Sequence, residues 1–401
     1  MNKPVAIWLV LLAAAGTFAL ASGTRLTMGL FVGPLNTATG LGLGSISLAF
    51  AVGQIWWGLV QPFAGAMADK LGTGRVVLVG VLLLALGAFI TPYMSSTAGL
   101  IFAIGLVSMG GAGLIGPPVL MAATNRLLPA QKRGLASGVV NAGGSFGQFL
   151  MAPLAGALIV ALGWGGALQV LALLALLALP AAYVLRGNIS SLAVPGAKSV
   201  GTGEAIRTAM RNPSYLMLSV GFFVCGFHVA FLATHLPGVI AACGLPPQFS
   251  AWALGILAIF NIIGSVAVGW AIGRWRMKSM LSLIYAVRGL AVLLFLLAPK
   301  TEMVVLIFAA AMGVTFLSTV PPTAGLVAKF FGLGNMATLF GIVMLAHQIG
   351  GFLGAWLGGL VFEATGSYDW IWYIDIVLAV GAALVHLPIR EAPVRPETAA
   401  A

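Results

Sequence analysis

The sequence predicts an all-α membrane protein: twelve transmembrane helices in two pseudo-symmetric six-helix halves. Three observations carry that expectation. The 401 residues are 61% hydrophobic and only 7% charged, against about 25% charged in a soluble domain. The apolar runs are long and unbroken, each near the roughly 20 residues that a helix needs to cross a bilayer, whereas outer-membrane barrels show short alternating segments. Lys and Arg cluster in every second interval between the runs.

The spans fall near 5–33, 44–68, 75–95, 98–125, 134–161, 164–186, 213–240, 249–273, 278–298, 301–328, 335–364 and 369–388. The first could pass for a secretory leader, but its apolar stretch continues past any plausible cleavage point and reads as a span. Spans 4 and 10 contain Pro117-Pro118 and Pro321-Pro322. Proline deletes backbone hydrogen bonds, so these pairs should bend or loosen their helices. The longest polar interval separates two six-span halves, giving residues 1–186, a linker 187–212, residues 213–390 and a tail 391–401. Within the linker, EAIRTAMRN reads as a short surface helix.

Charge sets the orientation. Of the 19 Lys and Arg, all but Arg25, Arg288 and Lys300 fall on one side once the N-terminus is placed in the cytoplasm. Such a bias predicts cytoplasmic N- and C-termini with an even number of spans. The net charge of +11 is therefore a topology signal; no basic stretch is interleaved with aromatics as in a nucleic-acid surface. Cys225 and Cys243 form neither a disulfide framework nor a metal-ligand spacing. No nucleophile–base constellation and no phosphate-binding glycine loop is visible, so the chain reads as neither an enzyme nor an ATP-driven pump, with no cofactor and no metal.

The halves look like internal repeats. Pro117-Pro118 and Pro321-Pro322 are separated by 204 residues, as are Gly65 and Gly269; Pro34 and Pro237, Ser47 and Ser250, and Gly138 and Gly341 are separated by 203. At the second spacing Arg25 of span 1 aligns with His228 of span 7. Internal repeats are a signature of transporters, with substrate held near the midplane where the repeats meet.

GAMADKLGTGR (65–75), between spans 2 and 3, resembles the loop motif of the major facilitator superfamily: Gly65, Asp69, Lys70, Gly72 and Arg75 fit it. With twelve spans and two halves the resemblance covers the whole chain, and implies that this cluster gates the cytoplasmic side. The bare alternative is a basic turn with a helix cap, since Asp69 can face a helix N-terminus. Within that superfamily TRLTMGLFVGPL (24–35), LAFAVGQIWWGLVQPFAGAMAD (48–69), LIYAVRGLAVLLFLLAP (283–299) and FGIVMLAHQIGGFLGAWLGGLVFEATGSYD (340–369) look most like bacterial relatives of monocarboxylate and oxalate/formate carriers. A positive residue in span 1 is typical of that group, and Arg25 fits. Span 8 lacks the acid–arginine pair of eukaryotic monocarboxylate carriers and offers Asn261. Span 11 has His347-Gln348 at about the depth of the lysine used by oxalate carriers.

The resemblance implies a secondary active transporter that moves a small organic anion, a monocarboxylate first, by alternating access. The alternative is drug or metabolite efflux on the same fold. The expected partners are the organic anion, protons and the lipid bilayer, with no nucleic acid, and the expected state is a monomer. Arg25 can bind a carboxylate through two parallel hydrogen bonds, or it can snorkel to the surface. His228, His347, Gln54, Asn141, Arg288 and Tyr285 are further substrate candidates, although Arg288 also reads as a structural partner of Asp375. His228, His235 and Asp375, the one acid inside the apolar core, are the proton-coupling candidates; as packing residues the histidines would instead be satisfied by neighbours.

Overall fold

A computed structural model describes residues 4–125, 130–186, 202–331 and 336–394. Among them every regular element is helical. Eleven helices are long and apolar enough to cross a membrane, and one of these has double length. Most of that one lies in the helix Ala130–Ala175, of 46 residues. Straight, it would run about 70 Å, more than twice the bilayer core. It folds back at Gly163, whose φ of 70° and ψ of 170° suit a residue without Cβ. Spans 5 and 6 are therefore joined by one glycine, and Leu179–Val184 completes span 6.

Span 1 comprises Pro4–Leu26 and Gly29–Thr39. Around the break the Thr24 and Thr27 hydroxyls turn back onto the carbonyls of Leu20 and Gly23 at 2.8 and 2.9 Å, competing with the helical ladder. Span 2 is Leu43–Leu71 and span 3 is Thr73–Ile90, with Gly72 (φ 90°) alone between them. Span 4 runs Thr97–Leu100, a π-helical Ile101–Ser108, Met109–Leu114 and Pro117–Asn125. Thr202–Arg211 lies on the surface with Ala205 and Ala209 buried. The Asn212 side chain accepts the Tyr215 N–H at 3.0 Å and opens span 7, Pro213–Ala242. Spans 8 and 9 are Gln248–Ala271 and Met277–Leu297. Span 10 is split into Glu302–Thr315 and Val320–Phe331; spans 11 and 12 are Met336–Thr365 and Asp369–His386. Both proline pairs lie in the first turn after a break, where a missing N–H leaves no bond unmade.

The helices pack as two equivalent sets. Span 1 lies on 5 and span 2 on 4, as 7 lies on 11 and 8 on 10; 3 packs on 6 as 9 packs on 12. Gly147 of span 5 sits so close to span 1 that a Cβ would overlap the Ala19 carbonyl, and Gly350 of span 11 meets the Phe223 carbonyl of span 7 in the same way. These two contacts are separated by 203 and 204 residues, the spacing of the sequence repeat. Small residues let membrane helices approach closely where no hydrophobic force drives them together. Outward-facing Val160, Leu297 and Val377 are exposed, as a lipid-facing surface requires.

The halves meet through 2 on 11 and 5 on 8. Among the described residues these contacts include Gly44–Glu363, Ser47–Gly359, Gly58–Gln348 and Gly156–Ala251, and Gly29 of span 1 lies against the Ala233 carbonyl of span 7. All fall between the middle of the bundle and the end that carries Glu363. These contacts bridge the halves toward that end, the Glu363 face; the opposite end carries the loop with Gly72 and Arg75.

Candidate functional site

Arg25 occupies the last turn of Pro4–Leu26, just before the break in span 1. It does not run along its own helix to the surface. Its Nη1 donates to Gln54 Oε1 of span 2 at 3.1 Å, and its guanidinium carbon stands 4.5 Å from the centre of the Trp57 ring. Gln54 and Trp57 are three residues apart and so share a helix face. The amide orients the guanidinium and the ring faces its charge. Among the described residues no carboxylate pairs with Arg25. The side chain is half-buried, and its remaining N–H donors have no counter-ion there.

His347, on span 11, is buried with its ring 4.8 Å from Phe222. The Gln348 amide donates to its Nδ1 at 3.2 Å. His347 lies within electrostatic reach of both Arg25 and Arg288. Gln348 Oε1 and both polar side-chain atoms of Gln148 on span 5 are buried without hydrogen-bond partners. Asn141 is half-buried on span 5, one turn before Ser145.

A second cluster lies inside the C-terminal half. Arg288, His228 and Asp375 are 1%, 1% and 0% exposed, so water does not solvate any of them. Arg288 Nη1 lies 3.2 Å from His228 Nδ1. A guanidinium only donates, so Nδ1 must accept and the imidazole proton sits on Nε2. That proton is donated to the Asp375 main-chain oxygen at 3.2 Å, and the Asp375 carboxylate stands beside it with Oδ1 3.1 Å from the same nitrogen. A neutral imidazole thus bridges a cation and an acid. The expected Arg288–Asp375 pairing exists with a histidine interposed.

The other end of Arg288 explains the break in span 10. Its Nη2 donates to the carbonyls of Thr315 and Phe316, the latter at 3.1 Å. These are the carbonyls that the interrupted ladder leaves open, at the negative end of the half-helix Glu302–Thr315. On the far side of the break Asn261 Oδ1 accepts the Leu317 N–H at 3.1 Å while its amide donates to Ser145 of span 5 at 3.2 Å. Cys225 Sγ lies 3.0 Å from Thr319 Oγ1. Tyr285 donates its hydroxyl to the Gly221 carbonyl at 2.5 Å.

The structure therefore sorts the sequence candidates into separate places. Arg25 and Gln54 are bonded to each other, and His347 of the other half lies within electrostatic reach of Arg25. His228, Arg288, Tyr285 and Asp375 form the second cluster. His235 lies nearer the Glu363 face, with Nε2 2.7 Å from the Ala355 carbonyl and its ring beside Tyr368. Gly72 and an exposed Arg75 form the joint between spans 2 and 3; the side chains of Asp69 and Lys70, and the surroundings of Gly65, lie outside the described residues. The carbonyls of Thr315 and Phe316 and the Glu363–Gly44 contact have no sequence signal, because backbone groups carry none.

The family model described as Major Facilitator Superfamily matches residues 10–355 and again 246–401. Monocarboxylate transporter 13 of Rattus norvegicus is 28% identical, over 95% of this chain and 89% of its own length. The uncharacterized MFS-type transporter YcxA of Bacillus subtilis is 25% identical over 96% of both chains. The oxalate:formate antiporter of Oxalobacter formigenes is 25% identical, over 72% of this chain and 68% of its own. With its twelve spans in two equivalent halves, the chain belongs to the Major Facilitator Superfamily and is a multi-pass membrane protein of a transporter family, not an enzyme.

Proposed function

We propose that this protein is a secondary carrier of small organic anions, monocarboxylates foremost, that works by alternating access. The observation that carries the proposal is Arg25: a charge at membrane depth, oriented by Gln54 and Trp57 and left without an acid among the described residues. A cation held in this way is incomplete until an anion reaches it, and a carboxylate matches its paired donors. Similarity to a monocarboxylate transporter and an oxalate:formate antiporter supports the same chemistry. In this reading the protein acts as a single chain in a bacterial inner membrane with both termini in the cytoplasm, and the loop of Gly65, Asp69, Lys70, Gly72 and Arg75 gates the cytoplasmic end. The two halves, residues 1–186 and 213–390, rock about the seams of spans 2 and 11 and spans 5 and 8. An inside-negative potential opposes anion entry by about 2.3 kcal/mol per charge per 100 mV, so uptake requires exchange or an accompanying proton.

The test is uptake of radiolabelled lactate, pyruvate and oxalate into proteoliposomes containing the purified chain. Uptake of at least one, competed by unlabelled anion and strongly reduced in R25A at concentrations below KM, is the expected result. Transport of lipophilic cations with no anion uptake would replace this reading with drug efflux.

A further inference from the structure

The Arg288–His228–Asp375 cluster is buried and charged, and shares no residue with Arg25's partners on span 2. A membrane interior tolerates such a group only where it is paired, and it commonly marks a proton or ion path. Arg288 has two competing sets of partners. On one side lies His228, with the Asp375 carboxylate behind it; on the other lie the open carbonyls of Thr315 and Phe316 at the break in span 10. Both Asp375 side-chain oxygens lack a hydrogen-bond partner of good geometry, and Oδ2 is free to take a proton.

We propose that Asp375, His228 and Arg288 form a proton site whose occupancy sets how tightly Arg288 clamps the break in span 10. With Asp375 ionised, its charge acts through the neutral imidazole and draws the guanidinium toward span 7. A proton on Oδ2 removes that pull. Arg288 then commits its donors to the Thr315 and Phe316 carbonyls, and the two halves of span 10 are held in the bent arrangement. A proton that arrives at Nδ1 in place of the Arg288 hydrogen bond and leaves from Nε2, 3.1 Å from Oδ1, would also reach Asp375; the ring stays neutral but becomes the Nδ1–H tautomer, which no longer accepts from Arg288. Span 10 packs on spans 8 and 9, so the clamp connects one proton to the shape of the C-terminal half.

The neighbouring groups leave Asp375 as the site. Span 7 contributes the Cys225 thiol beside His228, and span 9 contributes the Tyr285 phenol, which is committed to the Gly221 carbonyl. Span 12 adds His386, which stacks on Tyr285 with Nδ1 2.6 Å from the Ala382 carbonyl. Span 11 adds His347, which lies within electrostatic reach of both Arg288 and Arg25. Span 10 offers carbonyls and the Thr319 hydroxyl at its break; its titratable residues, Glu302 and Lys329, stand at its two ends. Among the described groups around the cluster Asp375 is the single carboxylate.

The inference deepens the carrier reading, and its two tests separate the failure of one from the failure of the other. The first needs no substrate: amide exchange in the peptide spanning 315–320, measured on the purified full chain between acid and alkaline pH and corrected for the intrinsic pH dependence of exchange. Wild type is expected to be more protected at low pH, and Asp375→Asn, an isosteric stand-in for the protonated acid, to show the low-pH protection throughout. Wild-type protection that does not change with pH, or D375N that follows wild type, overturns the clamp. If D375N does not fold, His228→Gln is the second variant, expected to shift the midpoint of the protection curve; an unshifted curve overturns the relay. The second test is lactate uptake driven by a pH gradient of one unit, which can support about tenfold accumulation per proton. D375N is expected to keep lactate counterflow and lose gradient-driven accumulation. Full accumulation in D375N, or lactate carried without response to the gradient in wild type, overturns the proton site while leaving the carrier reading intact. Absence of all anion uptake overturns the carrier reading, and the exchange experiment still decides the clamp.

Discussion

The carboxylate of Glu363, near the end of span 11, accepts the main-chain N–H of Gly44 at 2.8 Å and so closes the first turn of span 2 from the opposite half of the molecule. An acid at a helix N-terminus is worth about 0.3–1 kcal/mol at the surface. The contact is a latch on the Glu363 face, and a side chain beneath it would displace the carboxylate. A Cβ on Gly44 would lie 2.5 Å from Glu363 Oε2, and one on Gly42 2.6 Å from Oε1. E363A and G44A are both expected to favour opening of this face. Labelling of a cysteine placed at buried Ser47 by a membrane-impermeant maleimide should rise by up to roughly fivefold, the factor corresponding to about 1 kcal/mol. Unchanged labelling in both variants would show that the latch does not restrain the face.

Arg25 is testable through its neighbour. Gln54→Glu changes one atom type and puts a carboxylate where an amide oxygen now accepts from Nη1. The new acid neutralises the guanidinium in place, so anion binding should be lost with the melting temperature kept or raised. R25A removes hydrogen bonds to a charged group worth about 1.5–3 kcal/mol, a rise in apparent KM of roughly tenfold to a hundredfold. R25K should fall between, because an ammonium keeps the charge without the planar pair of donors. Concentration-dependent uptake of whichever anion is carried measures all three. Normal KM in Q54E would remove Arg25 from the binding site.

Two glycines give a paired stability test. A methyl group on Gly350 would meet the Phe223 carbonyl, a backbone atom that no rotamer change can move aside. G350A should lower the melting temperature, since overpacking costs about 1–3 kcal/mol, and G147A should do the same at the equivalent seam of spans 1 and 5. A methyl group on Gly381 of span 12 would have nothing within 4 Å of it. G381A should therefore gain about 0.5–1 kcal/mol, from the smaller loss of backbone freedom on folding. Equal melting temperatures for G350A and G381A would contradict the packing described for spans 7 and 11.

Asn261 holds the other side of the span 10 break. N261L leaves the Leu317 N–H without its acceptor and severs the bond to Ser145 across the halves. An unsatisfied buried donor costs about 1–3 kcal/mol, so N261L should melt below wild type and show faster amide exchange at Leu317. Wild-type exchange there would mean that Asn261 does not cap the break.

Much of the architecture was legible because apolar length is a direct consequence of the bilayer. The runs around 134–161 and 164–186 were separable by their total length alone, although the turn between them is a single glycine. The repeat was legible too: the spacing of Pro117 and Pro321 is the spacing at which Gly147 and Gly350 make their equivalent contacts. What the repeat could not specify is where a long side chain goes. Arg25 and His228 occupy matching positions in the repeat, yet Arg25 crosses to span 2 while His228 turns to spans 9 and 12. Arg288 and Asp375 could be suspected as partners because they are the only charges deep in their spans. The interposed imidazole and the two carbonyls taken by Arg288 could not, since an open carbonyl is a product of helix geometry and has no letter in the sequence.

Gly163 has a mechanical consequence. Spans 5 and 6 meet at one residue, with no slack chain between them, and span 6 in turn bears on span 3 where Gly74 lies against Ala182. A displacement of span 5 at its seam with span 8 is therefore carried, through a stiff elbow, to helices on the periphery of their own half. The peripheral helices serve as an outrigger for the moving one, and lengthening this elbow by a few flexible residues would let span 5 shift while spans 6 and 3 stayed behind.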